Sequence, residues 1–540
     1  MFLILLALAG VAALTYYWSW RAGRKHMYEL AEKIPGEKGL PFVGLALHVM
    51  FKNHNDILEF AYGLSQKPEY KDVTKIWLGP RLIVSIHNPK DVELVLGSNV
   101  HLRKSIEYSY FQPWFGNGLL ISYGDVWKTH RKMIAPTFHL NVLKKFMSDF
   151  NYNSKRLMAR LEHLEGKEFD CHEYMSECMV ETLSETVMGV RQEAKGRNCL
   201  TYAMSVMKMC DILHTRQTKL WFRPDFLFRF TNLRQDNDHH LSIILNLTNN
   251  LLRKKKELYD HKKKPFPVPK DAAETKKDSS PKEKFAFGIA TGLNDDIDND
   301  ECDIGEKRRL PFLESMIERA HKGDGMSDVE IKDQVNTIMF EGHDTTAAAS
   351  SFFLCVMGAK PDIQEKVIEE IDSIFGNSDR DVTFQDTLEL KFLERCLLET
   401  LRLFPPVPII ARTLEHDLSL ATSDLVVPAG CTVVIPMFKI HRRGDIYPNP
   451  EEFDPDNFLP ENAASRHYYA YVPFSAGPRS CVGRKYAMLK LKILLTNILR
   501  KFQVKPSKLA MKDWKLQGDI ILKRSEGFNV ALEKRTSIAT

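Results

Sequence analysis

In Phe474-Ser475-Ala476-Gly477-Pro478-Arg479-Ser480-Cys481-Val482-Gly483 a lone cysteine sits between two glycines, ahead of an apolar helical run (Tyr486, Ala487, Leu489, Leu491, Ile493, Leu494, Leu495). Gly477 and Gly483 permit positive φ and let the backbone approach a flat ligand. Arg479, two residues before Cys481, is placed to meet an acidic edge of that ligand. A thiolate at the start of a helix is stabilised by the helix dipole and by free N–H groups, so a lowered thiol pKa is expected for Cys481. A single cysteine is ordinarily a small buried hydrophobe. The ten-residue spacing F-x-x-G-x-R-x-C-x-G sets this one apart.

The chain has 540 residues, 44 % of them hydrophobic, enough for a large core. A net charge of +5 is too small to argue for nucleic acid as a partner. The cysteines are odd in number, scattered, and without zinc-type C-x-x-C pairing, which points to reduced thiols on the cytosolic side. Phe2 to Trp20 is almost wholly apolar and carries no charge, and about 20 such residues span a bilayer. Tyr16, Tyr17, Trp18 and Trp20 form an aromatic belt, and Arg21, Arg24 and Lys25 would hold the body on the cytosolic side. A cleaved signal fits less well, since no basic residue precedes the apolar run and the triplet Ala7-Leu8-Ala9 lies inside it.

The expected organisation is a membrane anchor at 1–20, a basic and proline-rich hinge at 21–50, and one body at 51–540, mainly α with a small β-rich part. Lys75–Leu78 and Leu82–Ile86 flank Gly79-Pro80-Arg81 as a hairpin, and Asn88-Pro89 opens a helix. From about 146 to 259 the pattern is helical, broken at Trp221–Leu227, which is expected to roof a substrate pocket. The segment at about 265–308 has a basic, proline-rich half and then an acidic half (Asp295, Asp296, Asp298, Asp300, Glu301, Asp303, Glu306). Its charge blocks predict disorder, and it lacks the glycine and terminal glutamate of a calcium loop. Pro428–Cys431 turns into a strand, and Ile520–Leu532 reads as a terminal hairpin turning at Ser525-Glu526-Gly527.

Three further patterns carry chemistry. Trp127 and Arg131, at i and i+4, share a helical face where an indole N–H and a guanidinium can hold a carboxylate. Ser327-Asp328-Val329-Glu330 is a capping box that opens a helix containing Phe340-Glu341-Gly342-His343-Asp344-Thr345-Thr346-Ala347. A glycine and two threonines are poor helix formers, so a distortion facing a ligand is expected there. Glu399 and Arg402 meet at i and i+3, just before Leu403-Phe404-Pro405-Pro406.

Taken together, the Cys481 loop, W-x-x-x-R, G-x-D-T-T and E-x-x-R, in this order along nearly the whole chain past the anchor, resemble the cytochrome P450 family. The resemblance implies the largely helical, triangular P450 fold after one transmembrane helix, and haem b (iron protoporphyrin IX) with Cys481 as the iron's thiolate ligand. It implies that Trp127, Arg131, Arg412 and Arg479 serve the haem propionates, with Phe474 and Gly483 shaping the cysteine loop. Thr345 would hydrogen-bond the oxygen being activated and Asp344 would relay protons to it, while Glu399 and Arg402 would form a buried structural pair. Many relatives carry an arginine where this chain has Asn457, which leaves the third member of that network open, with His441 or Arg442 as substitutes.

Glu341 replaces a residue that is small in the wider family. The resemblance is then to family 4, where such a glutamate can form an ester with a haem methyl. Electrons would come from NADPH through cytochrome P450 reductase, with cytochrome b5 as a second donor. Lys128, Lys132, Lys144, Lys145, Arg484, Lys485, Lys490 and Lys492 would offer the donor a basic face. The endoplasmic reticulum is the expected membrane, with a single pass and the catalytic domain in the cytosol. The charged insertion resembles the insect subfamily G, whose members convert long-chain aldehydes to hydrocarbons one carbon shorter plus CO2, for cuticular hydrocarbon synthesis. Terminal hydroxylation of fatty acids is the alternative within the family, and a non-catalytic haem-binding protein the alternative outside it.

Overall fold

The computed structural model describes residues 2–40, 43–191, 198–263, 310–323 and 325–535. The charged insertion at about 265–308 lies outside them, and so does part of the hinge. Phe2–Ala22 forms a helix. Among the described residues no helix is long and apolar enough to cross a membrane, so a spanning anchor is not established.

Val73–Leu78 and Arg81–Ile86 pair antiparallel around the expected turn. The second of these strands pairs parallel with Thr432–Ile435, which pairs antiparallel with Ile410–Thr413. Alternation along Arg81–Ile86 buries Leu82, Val84 and Ile86 beneath the helix Pro89–Leu96, where they meet Val92, Val95 and Leu96. Asn88 caps that helix by accepting the Lys90 N–H. An isolated bridge pairs Lys104 with Arg412, setting two cations side by side at the sheet edge.

The helical part is built around Asp328–Ala359, about 48 Å long at 1.5 Å per residue. Its capping box forms as expected, with the Ser327 hydroxyl and the Glu330 carboxylate each bonded to the other's backbone. The helix runs unbroken through the glycine-threonine segment, contrary to the expected distortion. Gly342 has a packing reason instead: a Cβ there would meet the Leu183 side chain at 2.8 Å, so the helix Cys171–Thr186 can lie close. The Gly342 carbonyl accepts from Thr346 Oγ1 and from Lys490 Nζ, at 3.0 and 2.9 Å.

Other expectations need correction. The terminal strands do not form one hairpin turning at 525–527. Leu516–Gly518 pairs with Leu522–Arg524, whereas Asn529–Lys534 pairs with Glu168–Asp170 and Phe502–Lys505. In the stretch expected to roof a substrate pocket, Phe222, Arg223 and Pro224 are half-buried while Trp221, Phe226 and Leu227 are exposed, with Phe230 beside them 89 % exposed. Arg484, Lys485, Lys490 and Lys492 add nothing to a solvated basic face, because the helix Arg484–Lys501 is an interior helix and buries all four. Lys128, Lys132, Lys144 and Lys145 do lie at the surface.

Candidate active site

The cysteine loop is held by backbone geometry. Ser475 and Gly477 have φ of 59° and 67°, and a Cβ on Gly477 would lie 2.1 Å from the Leu96 carbonyl oxygen. The Cys481 N–H donates to the Phe474 carbonyl at 2.9 Å, closing the loop. Gly483 caps the following helix at a negative φ of −91°, so positive φ does not explain this glycine. A Cβ on it would meet nothing but Cys481 Sγ, at 3.9 Å, so the space beside the sulfur stays open.

Cys481 is exposed, yet it lies deep in the molecule, and burial followed by the charge of Glu341 pushes its thiol up to about 11. The exposed surface therefore faces an interior cleft. The expected lowering fails because desolvation outweighs the Gly483 N–H and the cations Arg131 and Arg484. A thiol in such a place becomes thiolate against a metal cation.

Across the cleft stand Glu341 and Thr345, one helical turn apart and both partly exposed although deep. Burial pushes the Glu341 carboxyl up to about 7, against the opposing pull of Lys104, Arg131 and Arg479. Thr345 Oγ1 donates to the Glu341 carbonyl at 2.8 Å. Asp344 points elsewhere. It is buried on the adjoining face, where Oδ2 accepts from the Cys210 thiol at 3.9 Å and Oδ1 has no hydrogen-bond partner. The structure thus brings Thr345 to the cleft and sets Asp344 behind it.

One end of the cleft is cationic. Arg412 is 1 % exposed, and among the described residues its guanidinium donates only to its own strand, at the Ala411 carbonyl. Lys104 lies over the Tyr108 ring. Arg479 gives three of its five N–H groups to the carbonyls of Leu102, Leu119 and Ser122 and stacks on buried Trp127 at 4.3 Å. Arg131, on the same helix as Trp127, donates to Ser480 Oγ at 3.4 Å. Among the described residues no carboxylate pairs with Lys104, Arg412 or Arg479. Burial first, then their neighbours' charge, pushes Lys104 well down and Arg479 down to about 9. Buried cations in this number call for an anionic ligand. Lys104 is a site residue the sequence did not reveal, since it stands in a loop and meets Arg412 only through the bridge.

Glu399 and Arg402 are apart from the cleft and wholly buried. Their two hydrogen bonds are 2.7 Å each, and Arg402 also donates to the carbonyls of His441, Pro450 and Glu452. Asn457 Nδ2 donates to Glu399 Oε1 at 3.2 Å, so an amide does fill the third place. His441 joins through its carbonyl, which accepts from Arg402, and Arg442 turns away to Glu451 and the Phe438 and Leu403 carbonyls.

An open space beside a cysteine sulfur, facing a carboxyl and a hydroxyl, with a cationic end, fits an iron porphyrin bearing two propionates. The comparisons agree. The family model described as Cytochrome P450 matches residues 34–532, and the chain belongs to the cytochrome P450 family, monooxygenases with a haem-thiolate iron. Within it the resemblance is to family 4 and the insect subfamily G. The chain is 49 % identical to Cytochrome P450 4g15 of Drosophila melanogaster, over 97 % of this chain and 95 % of that protein. It is also 49 % identical to Cytochrome P450 4g1 of the same organism, over 97 % and 93 %. Against human Cytochrome P450 4V2 it is 32 % identical, over 93 % and 89 %.

Proposed function

We propose that this monooxygenase is an oxidative decarbonylase of long-chain fatty aldehydes, releasing a hydrocarbon one carbon shorter. The overall reaction balances as RCHO + O2 + two electrons + two protons giving RH + CO2 + H2O. NADPH would supply the electrons through a reductase docked near Lys128, Lys132, Lys144 and Lys145. The observation that carries the reading is the greater likeness to the two subfamily G proteins than to other family 4 members.

The iron-thiolate group, when bound, supplies oxygen activation. The chain's own residues do the rest. Cys481 Sγ would be the ligand atom, and Lys104, Arg131, Arg412, Arg479 and the Trp127 indole would hold the propionate end. Glu341, a buried carboxyl close to Cys481 and the cationic end, would be the group to esterify a haem methyl. Thr345 Oγ1 would hold a proton at the reaction face, and Asp344, buried on the adjoining face, would relay one to it only through an intervening group such as water. Phe111, Trp114, Phe115 and Phe340, packed ring against ring where the helix carries Glu341 as the next residue, would help keep water from that side and suit an aliphatic substrate.

We place the protein at the endoplasmic reticulum membrane, anchored through Phe2–Ala22 with its body in the cytosol. Exposed Phe51, Trp221, Phe226, Leu227 and Phe230 would rest on the bilayer surface. The test of function is product analysis: membrane-bound protein, reductase, NADPH and a long saturated aldehyde, read by gas chromatography with mass detection. An alkane one carbon shorter, with CO2, is expected. An ω-hydroxylated product instead would return the protein to the fatty-acid hydroxylases.

A further inference from the structure

Away from the cleft, three side chains from distant parts of the sequence converge. His54 is the first residue of the helix His54–Ser65, His214 lies near the end of the helix Asn198–Thr218, and Asp519 sits in the turn after the strand Leu516–Gly518. One ligand atom from each lies within 4.8 Å of the others. His54 Nδ1 is 3.3 Å, and His214 Nε2 3.8 Å, from Asp519 Oδ1. Two nitrogens or oxygens bound to one zinc ion at tetrahedral angles lie about 3.3–3.4 Å apart.

Two further observations point to a cation here. Among the described residues, His214 Nε2 and Asp519 Oδ1 are buried, on residues 6 % and 8 % exposed, and no donor reaches either with hydrogen-bond geometry, His54 Nδ1 lying nearest to Oδ1 at 3.3 Å. The His54 tautomer is also set for ligation. Thr215 Oγ1 donates to the Asp211 carbonyl at 2.8 Å, so it must accept from His54 Nε2–H at 3.1 Å. His54 Nδ1 then faces Asp519 Oδ1 at 3.3 Å, and with the ring proton on Nε2 it has a lone pair to offer a cation there. Lys523, 3.8 Å from Oδ2, and Gln517, 2.5 Å from it, occupy the other carboxylate oxygen and limit Asp519 to one ligand atom. Asp211, bonded to Lys523 at 3.0 Å, leaves the cluster with two carboxylates against one ammonium.

We propose that His54 Nδ1, His214 Nε2 and Asp519 Oδ1 bind a zinc ion, tying the helix His54–Ser65 and the end of Asn198–Thr218 to the 516–524 hairpin. Two imidazoles and one carboxylate select a borderline divalent metal over magnesium or calcium. His54, the partly exposed member, gives access from solvent and room for a water as fourth ligand.

The test uses the full-length haem protein, purified without a polyhistidine tag, loaded with zinc sulfate and desalted. Zinc is then counted beside iron by plasma mass spectrometry. About one zinc per chain is expected, with a zinc K-edge shell of nitrogen and oxygen only. His54→Gln and His214→Gln should each lower retained zinc by about tenfold or more, and Thr215→Val, which keeps all three ligands, should weaken zinc affinity by about 10–100-fold. The reduced CO spectrum certifies folding, and His54→Gln at the accessible edge serves if His214→Gln does not fold. No zinc retained by the parent protein, equal retention in His54→Gln, or sulfur in the zinc shell would overturn the site and leave an imidazolium–carboxylate pair.

Discussion

At the scale of the residue, position 341 puts a carboxyl inside the cleft. A carboxyl there, with burial pushing it up to about 7 against the pull of Lys104, Arg131 and Arg479, is poised to react or to be met by cations. If it esterifies a haem methyl, haem should stay with the polypeptide through acid–acetone extraction and be released from Glu341→Ala. Full release from the parent protein would refute the ester. Thr345 is the hydroxyl at the cleft, so Thr345→Ala should keep NADPH oxidation within about threefold of the parent while hydrocarbon formed per NADPH falls about tenfold, the lost electrons appearing as hydrogen peroxide. Undiminished product per NADPH would remove Thr345 from proton delivery. Cys481 was legible from its loop alone. Its raised thiol was not, because the helix-start argument counts the N–H groups and omits the desolvation that only the fold imposes.

At the scale of the element, the Glu399–Arg402 helix shows how a sequence motif gains meaning from what surrounds it. E-x-x-R on an exposed helix would contribute a few tenths of a kcal/mol. Here both ends are desolvated and Arg402 fastens three loop carbonyls, so Arg402→Leu should cost about 3–5 kcal/mol, read as loss of folded, CO-binding protein. Asn457→Ala removes one bond to the carboxylate and should cost less, about 1.5–3 kcal/mol by urea denaturation. Equal losses would mean that Asn457 holds the network as strongly as Arg402 does. The helix Arg484–Lys501 teaches the opposite lesson. Its four cations read as a surface face, but the helix is enclosed on all sides, with Lys490 on the Gly342 carbonyl and Lys492 on Glu394 at 2.9 Å each.

At the scale of the whole molecule, burial sets a pH window. His87 and His441 are interior, and desolvation pushes them down to about 4 and about 3. His441 Nε2 accepts the Val472 N–H at 3.0 Å, a bond that protonation would break. Unfolding restores a value near 6.5, so the unfolded chain binds protons that the folded chain does not. Each histidine should therefore lower stability by about 1.4 kcal/mol per pH unit as pH falls below about 6.5 toward the folded value, and neither contributes a slope above about 7.5. Glu341, raised, runs the other way between about 4.5 and 7 unless it is esterified. Urea midpoints at pH 7.5 and 5.0 for the parent and His441→Gln isolate one share. An unchanged pH dependence in the variant would show that His441 is not held neutral.

Local chemistry made most of this readable in the chain itself. The left-handed turn at Gly477, the capping box at Ser327, the Asn88–Pro89 helix start and the hairpin at 79–81 depend on neighbours in sequence, and all four form as expected, whereas Gly483 keeps a negative φ. Tertiary structure alone decided what depends on burial and on distant partners. It gathered Lys104 with Arg412 and Arg479, turned Asp344 behind the cleft, enclosed the cations after Cys481, sent the last strand to Glu168–Asp170, and drew His54, His214 and Asp519 together. Sequence patterning records which face of an element is apolar, whereas desolvation and cross-chain contact arise only when faces far apart in the chain are packed against one another.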